Sequence, residues 1–316
     1  MVLDDAVRKF LDTKLDSGDP GQPVADRRQI IRAGSDDLFG AFGAAGSQAV
    51  RVSDHVIDAD GSVRARVYQP SEPGRHPLHV FLHGGAWWLG AVDELVNDAL
   101  CRDRCQASGC VVVSVEYRLA PEFRYPTAVE DSYAALVWAV DHAEELGADP
   151  DDVSVGGISS GANLAAAVAL LVRDRHGPRL VGQLLEVPPL DLTLDTMRGT
   201  GISDEYGISA ADLEIAIALY LNDPAEALDP LASPLLADDL SGLAPVHVMT
   251  AEFDPLRADG ERFVARVREA GGEASIVNYP GAVHGSLALT GVWAPARRWQ
   301  SDAADALRTL HAVRAG

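Results

Sequence analysis

Hydrophobic positions follow a helical period at first, then a two-residue period, then short unbroken runs. From Asp4 to Leu15 and from Asp26 to Phe42 the spacing predicts helices. The first stops at the helix-breaking stretch Ser17-Gly18-Asp19-Pro20-Gly21-Gln22-Pro23, the second in Gly43-Ala44-Ala45-Gly46. Val52–Ile57 and Val63–Tyr68 alternate on either side of Asp60-Gly61, which predicts a hairpin. Apolar runs at Leu78–Leu82, Val111–Val115, Val153–Gly156, Gly182–Val187, Val246–Thr250 and Ala274–Asn278 predict further strands. Helical patterns lie among them at Glu94–Ser108, Ala128–Leu146, Ser160–Arg173, Asp259–Ala270 and Ala296–Val313. Short apolar strands alternating with helices predict an α/β fold: a mostly parallel sheet covered on both faces, with the hairpin adding antiparallel strands at one edge.

One segment breaks the alternation. Residues 192–224 insert loops and a helix, with Ser209 as N-cap, Asp212 at the capping-box position and Asn222-Asp223-Pro224 as the stop. That helix is apolar nearly all round, so it needs a cover. The expected partner is the N-terminal helical segment, 1–45, folding back with 192–224 as a lid over a core of 46–191 and 225–316.

Composition narrows the function. With 47% apolar and 23% charged residues in 316, the chain is globular rather than disordered. Lys plus Arg number 26 against 47 Asp plus Glu, and the net charge of −21 argues against nucleic acid and anionic membrane as partners. The three cysteines, at 101, 105 and 110, fit neither a disulfide framework nor a zinc site and read as small buried thiols in a reducing compartment. The opening Met-Val-Leu-Asp-Asp-Ala-Val-Arg-Lys-Phe accommodates no signal-peptide core, and the longest apolar run, Leu164–Val172, is shorter than a bilayer span. A soluble cytoplasmic protein is expected.

The sharpest chemical signal is Gly157-Ile158-Ser159-Ser160-Gly161, a G-x-S-x-G after an apolar strand and before an Ala-rich helix. A serine projecting from such a tight turn leaves no room for side chains on either flank, which glycines 157 and 161 provide. Ser159 is therefore the expected nucleophile. A serine needs a base, and the base needs an orienting acid, in the chain order Ser, acid, His for this kind of turn. Of His176, His247, His284 and His311, only His284 lies in a loop directly after a strand. The preceding loop offers Asp254, favoured because Pro255 holds it extended, with Glu252 as the fallback. Asp259 and Glu261 are expected to decorate the next helix start. After Leu78–Leu82 comes His83-Gly84-Gly85-Ala86-Trp87-Trp88, whose glycines allow backbone N–H groups to converge as an oxyanion hole. Gly84, Gly85 and Ser160 are the expected donors, and His83 is expected to hold the loop in shape.

Together these residues resemble the hormone-sensitive-lipase-like, H-G-G-G-motif carboxylesterases of the α/β-hydrolase superfamily. The resemblance runs through His83–Trp87, Glu116-Tyr117-Arg118-Leu119-Ala120-Pro121-Glu122, Gly157–Leu164, Ala232-Ser233-Pro234-Leu235, Asp254, Arg257 and His284-Gly285. It implies an α/β-hydrolase fold with an eight-stranded, mostly parallel sheet and a helical lid, the triad Ser159, Asp254 and His284, and the oxyanion donors above. Three positions depart from the family pattern: Ala86 for the third glycine, Ile158 for an acid, and Ser286 for an aromatic.

The expected activity is hydrolysis of carboxylic esters of small to medium acyl chain through an acyl-enzyme, with no metal or organic cofactor. The expected partner is a small-molecule ester, and a homodimer is left open. Ala86, Trp87, Trp88, Tyr206, Leu213 and Ile217 are the candidate pocket residues. An acyltransferase, lactonase or tailoring enzyme with the same triad, or an inactive ligand-binding relative, are the competing readings.

Overall fold

A computed structural model describes residues 3–13, 18–19, 21–59 and 61–312. Leu15, Ser17, Pro20, Asp60 and Val313, which the sequence placed at element ends and turns, lie outside the described residues. Helices α1 (Asp5–Asp12) and α2 (Val24–Phe42) come first, followed by strands β1 (Val50–Ala59), β2 (Gly61–Pro70) and β3 (His76–Leu82). Then α3 (Leu95–Ser108), β4 (Val111–Glu116), α4 (Thr127–Asp141), β5 (Ala148–Ile158), α5 (Ser160–Asp174) and β6 (Leu180–Glu186) alternate. The short α6 (Asp195–Arg198) and α7 (Ala210–Tyr220) precede β7 (Val246–Ala251), α8 (Arg257–Glu269), β8 (Ala274–Tyr279) and α9 (Ala294–Ala312).

The strands form one eight-stranded sheet in the order β1-β2-β4-β3-β5-β6-β7-β8. Only the β1–β2 and β2–β4 pairs are antiparallel. Period-two alternation sorts each strand's side chains between two cores. Leu78, Val80 and Leu82 of β3 join α4, α5 and α8 on one face, while Phe81 joins α3 and α9 on the other. Helix α5 is buried along almost its whole length, and its alanines let it lie close against the strands.

The sheet order decides where a site can form. The chain runs from β3 out to β4 and returns across β3 to β5, so the loops after β3 and β5 diverge at neighbouring strand ends. Leu82 pairs with Gly157, which sets His83-Gly84 beside Ile158-Ser159. At the far side, Ala251 pairs with Tyr279, bringing the loops after β7 and β8 together.

Some elements differ from expectation. Helix α4 ends at Asp141 rather than Leu146, where His142 Nδ1 bonds back to the Trp138 carbonyl at 2.8 Å and Gly147 turns the chain with φ 71°. Helix α7 has its Ser209/Asp212 capping box, but it is not covered all round. Leu213, Ala216, Ile217 and Tyr220 face inward while Ile215 is 58% exposed. Its partners are Trp87, Tyr125, Leu194, Met197 and Leu256 rather than chiefly the N-terminal helices, because the seat is one i, i+3, i+4, i+7 face. Among the described residues, no helix is long and apolar enough to cross a membrane and no group of His, Cys, Asp or Glu could hold a metal ion.

Candidate active site

Ser159 sits between β5 and α5 with φ 54° and ψ −122°, a backbone state worth roughly 1–3 kcal/mol of strain in a non-glycine residue. What holds it is local. Its N–H donates to the Glu186 carbonyl at 2.8 Å, and α5 follows at once. A Cβ on Gly157 or Gly161 would overlap the Leu82 carbonyl oxygen, so only glycine lets strand, turn and helix approach this closely. Ile158 turns its side chain into the cavity wall, and the backbone bond to Glu186 supports the turn there.

His284 Nε2 lies 3.1 Å from Ser159 Oγ, and its Nδ1 lies 2.7 Å from Asp254 Oδ2. Asp254 is fully buried, and its Oδ1 accepts the Leu256 N–H at 2.9 Å, so the carboxylate cannot rotate freely. Glu252 is committed elsewhere: its Oε2 accepts the Gly281 N–H at 2.7 Å, closing the loop that carries His284. Ser286 faces inward rather than toward the cavity. Its hydroxyl donates to the Val283 carbonyl at 2.8 Å and accepts the Val283 N–H at 3.1 Å, tightening the same loop.

Ser159 and His284 open onto a cavity of about 350 Å³, also lined by Gly84, Gly85, Ala86, Trp87, Ser160, Ile158 and Leu213. Among the described residues, neither the Gly84 nor the Gly85 N–H donates to a backbone acceptor, and the Ser160 N–H is one of the unpaired donors of a helix's first turn. Gly85, Ala86 and Trp87 all have positive φ, at 125°, 52° and 63°, which makes the loop tightly turned. A Cβ on Gly85 would collide with the Leu89 carbonyl. Trp87 contributes to the wall but is fully buried, stacked on Tyr220 at 4.9 Å, with Nε1 donating to Asn163 at 3.2 Å. Trp88, Tyr206 and Ile217 do not line this cavity. Trp88 lies under Arg27, Tyr206 stacks on Phe253 at 4.6 Å, and Ile217 packs beside Leu213 in the small apolar cluster with Leu256. Tyr206 and Ile217 are thus taken up by apolar neighbours and Trp88 by a guanidinium.

The residues after β4 have a structural task that the sequence did not disclose. Tyr117 stacks on His83 at 4.4 Å and donates to the His83 carbonyl at 2.8 Å. The Ala120 N–H donates to the Trp87 carbonyl at 3.0 Å, and Arg118 chelates Asp131 at 2.7 Å. This segment therefore braces the glycine loop from behind. His83 is fully buried with Nδ1 donating to the Gly84 carbonyl at 2.7 Å, and burial pushes its pKa down to about 4. Asp259 is not a solvated helix-start charge. It is fully buried and accepts the N–H groups of Leu190 and Asp191 at 2.8 and 3.0 Å, tying α8 to the loop after β6. Burial chiefly pushes its carboxyl up to about 7. Beneath the turn, the Glu186 side chain pairs with Arg104 at 2.8 Å and accepts Trp299 Nε1 at 2.7 Å, all buried.

Residues 79–288 match a family described as the alpha/beta hydrolase fold. The chain belongs to that family. Over 235 residues it is 44% identical to the carboxylic ester hydrolase LipN of Mycobacterium tuberculosis, covering 72% of this chain and 62% of LipN. It is 39% identical over 229 residues to an arylesterase of Saccharolobus solfataricus, covering 72% of this chain and 74% of the relative. The solved hyperthermophilic esterase of the archaeon Pyrobaculum calidifontis superposes with a TM-score of 0.90 at 36% identity, covering 98% and 99% of the two chains.

Proposed function

We propose that the protein is a serine carboxylesterase that hydrolyses esters of small to medium acyl chain. The observation that carries this reading is the relay Ser159–His284–Asp254, at 3.1 and 2.7 Å, opening onto a cavity beside the glycine loop. The names of the relatives, carboxylic ester hydrolase and arylesterase, support it.

In this mechanism Ser159 Oγ attacks the ester carbonyl carbon while His284 Nε2 takes its proton. Asp254 keeps the imidazole in the tautomer that leaves Nε2 free to accept, and it stabilises the imidazolium that forms. The carbonyl oxygen becomes an oxyanion held by the N–H groups of Gly84, Gly85 and Ser160, each donor typically worth ~10²–10³ in rate. The intermediate collapses as His284 returns the proton to the alcohol oxygen. Water, deprotonated by His284, then releases the acid and restores Ser159.

Segments 1–45 and 192–224 act as the cover: Ile31 and Ser35 of α2, with Ile208 and Leu213, supply one wall of the cavity. An apolar cleft of about 170 Å³ between Phe10, Leu38, Phe42 and Leu289 shares Ser35, Val96, Gly285 and Ala288 with that cavity, and it gives an acyl chain room to extend. A cytoplasmic setting is supported by the unpaired, buried thiols of Cys101, Cys105 and Cys110.

The test is a chain-length series of p-nitrophenyl esters run beside lactones, amides and alcohol acceptors. Hydrolysis is expected to be fastest from acetate to hexanoate, and Ser159→Ala is expected to lower kcat by up to ~10⁶. Hydrolysis retained in that variant, or transfer to alcohols outrunning hydrolysis, overturns the reading.

A further inference from the structure

The catalytic cavity contains one ionisable side chain that the proposed mechanism leaves unused. Glu94, immediately before α3, is only 9% exposed, yet it lines the same cavity as Ser159 and His284. It also lines a second cavity of about 260 Å³, bounded by Arg28, Gln29 and Arg32, so it stands in the wall between the two. Its side chain does not cap α3, and among the described residues it makes no hydrogen bond or ion pair. Its oxygens are not sealed among other side chains, so a carboxylate on a largely buried residue meets open cavity rather than a protein partner, and a ligand can reach it.

The surrounding charges define that occupant. The charged groups around Glu94 are Arg28, Arg32 and Asp36 from α2, Asp93 from its own loop, and Glu116 from β4, with Arg28 paired to Glu122. Arg32 is engaged by Asp93 at 2.8 Å, and Arg64 spans Glu116 at 3.3 Å and Asp93 at 3.9 Å. Asp36 accepts the Leu95 N–H at 2.9 Å. The guanidiniums of Arg28, Arg32 and Arg64 are thus each paired with a carboxylate other than Glu94, and Asp36, Asp93 and Glu116 add negative charge around it, within a chain of net charge −21. Burial chiefly, with help from Asp36, Asp93 and Glu116, pushes the Glu94 carboxyl up to about 7, against the pull of Arg32. Among the described residues the nearby cation is Arg32, already paired with Asp93, and no cation is in contact with the ionised carboxylate.

We propose that Glu94 is a specificity residue that receives an ammonium group of the substrate, so that the enzyme prefers amine-bearing esters over neutral esters of the same shape. The proposal deepens the esterase reading and rests on it. A charge-assisted hydrogen bond of this kind typically favours the cationic ligand by about ten- to hundred-fold.

The experiment compares kcat/KM for two matched pairs. With the cation on the alcohol side, 2-(dimethylamino)ethyl acetate is paired with 3-methylbutyl acetate; with the cation on the acyl side, ethyl 5-aminopentanoate is paired with ethyl hexanoate. In at least one pair the wild-type protein is expected to favour the cationic ester. In Glu94→Gln that preference is expected to fall by at least about ten-fold, mainly through KM. The preference is also expected to grow as pH rises through about 7, where Glu94 ionises. A ratio unchanged by Glu94→Gln in both pairs overturns the proposal.

A second measurement needs no variant. Inhibition of wild-type p-nitrophenyl acetate hydrolysis by n-butylammonium is compared with inhibition by n-butanol. Competitive inhibition at least ten-fold tighter by the ammonium, weakening with added salt, supports the proposal; equal inhibition overturns it. Because both readouts are taken on an enzyme already turning over a neutral ester, their failure is distinct from failure of the esterase reading, which would abolish that turnover dependence on Ser159.

Discussion

Replacing Asp254 by Asn tests the relay at its most constrained point. Oδ1 of Asp254 already accepts the Leu256 N–H at 2.9 Å, so the amide oxygen of an asparagine will keep that position. Its NH₂ then falls where Oδ2 now meets His284 Nδ1 at 2.7 Å. Two donors cannot share that contact, and the imidazole must move its proton to Nε2. Nε2–H then points at Ser159 Oγ and cannot accept its proton. The expected loss is ~10⁴ in kcat, about 5 kcal/mol of transition-state stabilisation, with the fold intact. The assay is kcat and KM for p-nitrophenyl acetate across pH 6–9, with thermal melts of both proteins. Glu252→Gln is the control: among the described residues its carboxylate accepts only the Gly281 N–H, so its loss is expected to loosen the loop and lower activity far less. If Asp254→Asn keeps more than about a tenth of the activity while Glu252→Gln loses it, the orienting acid is wrongly placed.

Gly161→Ala sets a methyl against the Leu82 and His83 carbonyl oxygens, both backbone and unable to yield. It is expected to cost about 1–3 kcal/mol of stability in denaturant titration and to lower kcat more than it raises KM, because the strain falls on the glycine loop. Acid stability reports on His83, whose pKa falls from 6.5 to about 4 on folding. The unfolded chain binds this proton first, so the stability it contributes is present above 6.5 and lost as pH falls toward 4, at up to about 1.4 kcal/mol per unit. A His83→Gln variant is expected to show a shallower stability slope between those pH values; an identical slope would contradict the neutral, buried imidazole. Asp259, raised to about 7, works in the opposite direction, so Asp259→Asn is expected to lose less stability at pH 8 than at pH 5 relative to wild type.

The strands and most helices were legible because their signals are local. The unbroken apolar runs of β3, β4 and β6 are those of strands buried on both faces, and the capping box of α7 is written within four residues. Ser159, Asp254 and His284 could be named because a strained turn and two strand-end loops leave few choices of residue type and order. What escaped depends on contacts across long stretches of chain. Glu94 reads as an ordinary acid at a helix start until the fold sets it in the wall of the cavity that holds Ser159. Asp259 looks like a helix-start charge until the loop at Leu190 presents two N–H groups to it. His311 falls on the terminal helical pattern, where nothing local marks a partner for it. The structure places it in a buried chain with Asp152 at 2.7 Å and Ser154 at 2.9 Å, the latter also bonded to His79 at 2.9 Å. That group repeats the residue types of the active site. Of the aromatic pocket candidates Trp87 lines the cavity, while Trp88 and Tyr206 lie off it for a related reason: apolar type predicts burial, but which neighbour a ring will stack on is decided by packing.

The most direct test of the central claim is labelling with a fluorophosphonate probe followed by mass spectrometry of the digested protein. One adduct per chain, on the peptide containing Ser159, formed in step with loss of ester hydrolysis, is the predicted result. Full hydrolytic activity with Ser159 unlabelled, or inactivation through an adduct on another residue, would contradict it.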